Sequence, residues 1–72
     1  MSIWSEDYKA IKARLKKARL AAGLKQTDAA KLLDRPQSYI SDCEKGDKRL
    51  DVLELKEFAK LYKKPISYFL KD

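Results

Sequence analysis

The segment QTDAAKLLDRPQSYISDCEKG, residues 26–46, constrains this chain more than any other part of it. Apolar side chains fall at Ala29, Ala30 and Leu33 in its first half and at Ile40 and Cys43 in its second, so each half has one face to bury. The spacing predicts two short amphipathic helices joined by a tight turn around Asp34, Arg35 and Pro36. The outer face of the second helix carries Gln37, Ser38, Ser41 and Asp42. Short polar groups of this kind donate to and accept from base edges in a DNA major groove. A helix surface kept only for solubility would more often carry Glu and Lys.

This segment resembles the helix-turn-helix of the Cro and lambda-repressor-like (XRE) regulators, and the likeness covers roughly residues 11–70. It is carried, in order, by Arg19, by Gly23, Leu24 and Gln26, by Ala30 and Leu33, by Ile40 and Ser41, and by Glu44 and Gly46. The run RPQSYIS at residues 35–41, with RLDV at 49–52, is similar to one common bacterial branch. The resemblance implies an all-α fold, a compact five-helix lambda-repressor-like DNA-binding domain in which helices 2 and 3 form the motif. It further implies a sequence-specific transcriptional regulator, a repressor binding a two-fold operator as a homodimer.

Composition agrees. At 72 residues the chain is expected to form one domain over positions 1–72, with a small core and no space for a separate sensing or catalytic unit. Occupancy of DNA would then follow the protein's own concentration. Lys and Arg number 17 against 11 Asp and Glu, a formal charge of +6. Such an excess favours a polyanionic partner, because neutralised phosphates release counterions, although net charge also keeps a small protein soluble. A single cysteine excludes an intrachain disulfide and fits a reducing cytoplasm. Histidine is absent, so neither a zinc site nor a Ser-His or Cys-His pair is expected, and no glycine-rich phosphate loop is present. No enzyme activity, metal or cofactor is anticipated. The first seven residues lack the basic start and apolar run of a signal peptide, and no stretch approaches the ~20 apolar residues of a membrane span.

The helices are predicted from period and end signals. The first spans about 5–22, with Ser5 as cap, Glu6 and Asp7 at the positive end of its dipole, and Tyr8, Ile11, Leu15, Ala18 and Ala22 as its stripe. Gly23 follows as a left-handed cap. Lys9, Lys12, Arg14, Lys16 and Lys17 read as a solvated basic surface, with one or two of them as alternative DNA-backbone contacts. The second helix spans about 26–33. Where the family usually has Thr or Asn before its Gln, this chain has Lys25, which cannot cap through an oxygen and costs ~1 kcal/mol. Asp34 stands where the family usually has Gly, and tolerates the left-handed conformation better than most residues. The third helix is expected over 36–44, ending at Gly46, with Pro36 presetting its first turn. Asp51 and Glu54 form a capping-box pattern for the fourth, Leu50 and Leu55 fit a hydrophobic staple, and Val52, Leu55, Phe58, Ala59 and Leu61 or Tyr62 supply its buried face. Pro65 stops it and leaves a short fifth helix at 66–70.

The resemblance assigns roles. Gln37, Ser38, Ser41 and Asp42 take the base-facing positions, Gln37 able to bond adenine N6 and N7 together or to make other single contacts. Gln26 sits where it can bond both a phosphate and Gln37. Asp42 has two readings, acceptance from cytosine N4 or an ion pair with Arg35 or a lysine. Tyr39 either lays its ring on sugar and phosphate or belongs to the edge of the core. Lys25, Arg35, Lys45, Lys48 and Arg49 complete the backbone contacts, which position the protein without choosing sequence. Arg19 and Glu44 match an ion pair fixing the angle of the reading helix. Cys43 falls inward as a small hydrophobe.

Ile66, Tyr68, Phe69 and Leu70 crowd a five-residue segment, more apolar surface than one short helix can bury. Tyr68 and Leu70 are expected to face a second copy, and Ile66 and Phe69 the core. An alternative from another class is an antitoxin or adaptor whose main work is binding a protein partner.

Overall fold

Helical periodicity in the sequence becomes five helices in the computed structural model: α1 (Trp4–Ala21), α2 (Gln26–Leu33), α3 (Gln37–Lys45), α4 (Val52–Tyr62) and α5 (Ile66–Leu70). The structure describes the backbone of residues 4–46 and 48–70, with side chains from Tyr8 onward, and no strand occurs among these residues. The radius of gyration, 11.4 Å, is that of a tightly packed chain of this length.

Every helix contributes to one core. Leu15 and Ala18 come from α1, Ala29 and Ala30 from α2, Ile40 and Cys43 from α3, Leu55, Phe58 and Tyr62 from α4, and Phe69 from α5. Small residues on α1 and α2 let helices approach closely, while Phe58 and Phe69, both fully buried, fill the space between them. Each such aromatic stabilises the fold by about 2–3 kcal/mol through area removed from water. Phe58 lies between Tyr39, nearly parallel to it at 6.0 Å, and Tyr62 at 5.7 Å.

Helix ends follow local chemistry. Gly23 takes a left-handed φ of 76° after α1, where the Leu24 N–H returns to the Arg19 carbonyl at 3.1 Å. Asp34 takes φ 56° after α2, the role expected of it. Lys63 does the same after α4 at φ 57°, held by the Lys64 N–H bonding the Ala59 carbonyl at 2.9 Å. The start of α2 is better supported than Lys25 suggests, because the Asp28 carboxylate accepts from the Lys25 backbone N–H at 2.9 Å. At α4 the capping box is complete: Glu54 N–H donates to Asp51 at 2.8 Å and Asp51 N–H donates to Glu54 at 3.0 Å.

Three details depart from the sequence reading. Ala22 lies past the end of α1 and is exposed, since the chain has already turned toward Gly23. Val52 is 65% exposed, because as the first residue of α4 it points off the end of the bundle rather than across it. Ser5 is inside α1, which already includes Trp4, and its capping role, with the side chains of Glu6 and Asp7, lies outside the described residues.

Candidate nucleic-acid interface

α3 is held by its inner face and open on its outer one. Tyr39, Ile40 and Cys43 are buried, Gln37, Ser38 and Lys45 are exposed, and Ser41 and Asp42 are half-buried at the rim. Positions 38, 41, 42 and 45 share one helical face, as a 3.6-residue period requires. Pro36 is the cap rather than the first helical residue: its φ of −67° suits a helix, but its ψ of 154° is still extended. Gly46 ends α3 at φ 87°, and a Cβ there would press on the Lys12 side chain at 2.9 Å. Lys12 itself donates to the Lys45 carbonyl at 3.1 Å, placing a cation at the negative end of α3.

Arg19 anchors this helix from α1. Its Nε and Nη2 donate to the two Glu44 carboxylate oxygens at 2.6 and 3.1 Å, and Nη1 donates to the Leu24 carbonyl at 2.9 Å. The two side chains are 7% and 6% exposed, so the pair is almost dry. Hydrogen bonding to Glu44 raises the Arg19 pKa further above its ordinary value. The chain of contacts continues outward. Gln26 Nε2 donates to Glu44 Oε1 at 3.2 Å, and Gln37 Nε2 donates to Gln26 Oε1 at 3.2 Å. The expected Gln26–Gln37 contact is thus formed without DNA, and it is joined to the Arg19–Glu44 pair, a link not anticipated from spacing.

A second hub, at Glu54, was visible in the sequence only as half of a capping box. Its carboxylate accepts from the Tyr39 hydroxyl at 3.0 Å and from Lys48 Nζ at 3.0 Å. The Asp51 N–H, then Lys48 and Tyr39, hold the Glu54 carboxyl below its usual range. Three residues expected to contact the DNA backbone meet this hub. Tyr39 lies at the edge of the core, with its hydroxyl donating to Glu54 and its ring against Phe58. Burial, then the bond to Glu54, raises its hydroxyl pKa. Arg35 lies over the Tyr39 ring at 4.6 Å and pairs with Glu57 at 3.3 Å, so its charge is engaged within the protein and not with Asp42. Lys48 is drawn back onto Glu54, whose hydrogen bond raises its pKa. The Lys48 carbonyl also accepts from the Tyr8 hydroxyl, tying α1 to the loop before α4.

Lys25, Lys45 and Arg49 stay exposed. They bracket the base-facing row, Lys25 just before α2, Lys45 at the end of α3 and Arg49 in the following loop. Cys43 is fully buried, and burial pushes its thiol up to about 11, so it remains a protonated core residue at neutral pH. On α5, Phe69 is buried and Leu70 is 54% exposed, as expected. Tyr68 is half-buried: it meets Phe69 edge-on at 5.1 Å and packs partly on its own core.

A model of the helix-turn-helix family matches residues 15–69. The chain therefore belongs to the Cro and lambda-repressor-like (XRE) helix-turn-helix family, and it is a DNA-binding transcription regulator of that type. A comparison with curated proteins found no match. No helix among the described residues is long and apolar enough to cross a membrane.

Proposed function

We propose that this protein is a repressor that recognises a two-fold operator as a homodimer, working on double-stranded DNA in the cytoplasm. In this reading α3 lies in the major groove and α2 crosses the backbone above it. Gln37, Ser38, Ser41 and Asp42 meet base edges. Lys25, Gln26, Lys45 and Arg49 meet phosphates, and Lys48 and Arg35 stiffen the support behind them. The observation that carries the reading is the pairing of Gln37 with Gln26 at 3.2 Å on the open rim of α3, which presets a base-reading side chain from a residue beside the backbone track. Asp42 has no ion pair among the described residues, which leaves its carboxylate for a cytosine amino group.

The test is a binding titration on a duplex selected from a randomised pool. Gln37→Ala is expected to weaken the selected duplex by roughly 1–3 kcal/mol and to relax preference at one base pair. Equal weakening on selected and random DNA would remove Gln37 from the base-reading set.

A further inference from the structure

The connection from α3 to α4 is held by side chains. α3 closes at Gly46 with a φ of 87°, and the next helix begins only at Val52. Among the described residues, the backbone N–H groups of Lys48, Arg49 and Leu50 donate to no backbone carbonyl. Leu50 packs against the core and Asp51 caps α4, which fixes the far end. The near end is fixed from α1. Lys12 Nζ donates to the Lys45 carbonyl at 3.1 Å, satisfying one of the acceptors that a helix leaves unpaired in its last turn. Its stem crosses Gly46 where a Cβ would lie 2.9 Å away, so the missing side chain leaves room for that crossing. The Tyr8 hydroxyl donates to the Lys48 carbonyl. Tyr8 and Lys12 stand one turn apart on one face of α1, and they grip the chain on either side of Gly46.

We propose that Tyr8 and Lys12 are positioning residues for phosphate contact, holding the chain after α3 in the pose from which Arg49 reaches the DNA backbone. The proposal rests on Arg49 as a phosphate contact. The Lys48 carbonyl belongs to the planar peptide group that ends at the Arg49 Cα, so a hydrogen bond to that oxygen orients the point from which the Arg49 side chain leaves. Drawing Arg49 to a phosphate from a loose backbone would cost backbone entropy in addition to side-chain entropy. Here the backbone is ordered on folding. Lys12 acts with its ammonium on the protein's own carbonyl, and neither residue needs to touch DNA.

The experiment measures, on the full chain, how far Arg49→Ala lowers the slope of log affinity against log salt in two backgrounds. One is wild type and the other carries Tyr8→Phe together with Lys12→Met. These substitutions keep the apolar part of each side chain and remove the group that bonds the loop. In wild type the expected reduction is about 1. In the double variant it falls toward zero, because Arg49 has already lost its fixed place. Comparing within each background cancels any direct contribution of the Lys12 charge. The double variant should also bind selected and random duplexes more weakly by the same factor, since the Arg19–Glu44 pair still sets α3. Lys12→Arg alone, which keeps a donor and a charge, should keep the full reduction. Thermal melting reports whether each protein is folded at the titration temperature. If the double variant is not, Tyr8→Phe alone takes its place, with an intermediate reduction expected. An equal reduction in both backgrounds would mean that Tyr8 and Lys12 serve stability only, and would overturn the proposal. No reduction in wild type would instead remove Arg49 from the phosphate-contacting set, a failure of the reading beneath it.

Discussion

The Tyr39 hydroxyl donates to Glu54 Oε2 at 3.0 Å, so the recognition helix is tied to the first turn of α4 by a bond between residues 15 apart in sequence. The same carboxylate caps α4 and receives Lys48. One ionisable group thus serves three elements, and its titration should be felt by the whole fold.

Glu54 is held below its ordinary value of 4.5, first by the Asp51 N–H. A group with a depressed folded pKa contributes stability that is present above the unfolded value and lost as pH falls through the folded one. Glu54→Gln is expected to lower stability at neutral pH by about 1 kcal/mol, on the scale of a lost cap or charge-assisted hydrogen bond. In acid below the depressed value the variant and wild type should converge. Urea unfolding across the acid range checks this, and a constant gap between the two curves would exclude Glu54 as the group responsible.

Glu44→Ala should be far more costly. It leaves the Arg19 guanidinium, 7% exposed, without its carboxylate. Loss of one partner of a buried pair costs about 3–5 kcal/mol. Replacing both residues with apolar ones of similar volume should recover much of that loss, which thermal melting of the single and double variants will show. A Glu44→Ala protein that melts like wild type would mean packing alone holds α3.

Salt dependence should separate Arg49 from Lys48. Arg49 is exposed, while Lys48 is paired with Glu54 at 3.0 Å. Arg49→Ala is expected to reduce the slope of log affinity against log salt by about 1. Lys48→Ala should change the slope less and lower the melting temperature instead. Anisotropy titrations over a salt series give the slopes, and the reverse order would return Lys48 to the phosphate-contacting set.

Dimerisation should depend on Leu70, which is 54% exposed at the end of α5. Leu70→Asp is expected to shift a dimer toward monomer in sedimentation at micromolar concentration. Leu53, 71% exposed at the start of α4, is the competing site. A dimer that survives Leu70→Asp and dissociates in Leu53→Asp would place the interface there.

Helix positions and several of their ends were decided by the sequence alone, because caps, left-handed turns and the 3.6-residue period act between near neighbours. Asp51 with Glu54, Asp34 in its turn, and the open row of Gln37, Ser38, Ser41 and Asp42 are all legible in that way. The Arg19–Glu44 pair and the Gln26–Gln37 contact were legible through resemblance to the family, since spacing by itself names no partner. Only the tertiary structure decided how the remaining charges are shared. Arg35 and Lys48 look outward in sequence and Tyr39 has two readings there, yet each is drawn to Glu54 or Glu57 across the α3–α4 junction. Val52 keeps the helical period and is still exposed, because periodicity specifies a face but not whether another element reaches it. The hydrogen bond from Gln26 to Glu44 likewise spans 18 residues, a distance over which the packing of α2 against α3 chooses the partner and local sequence does not.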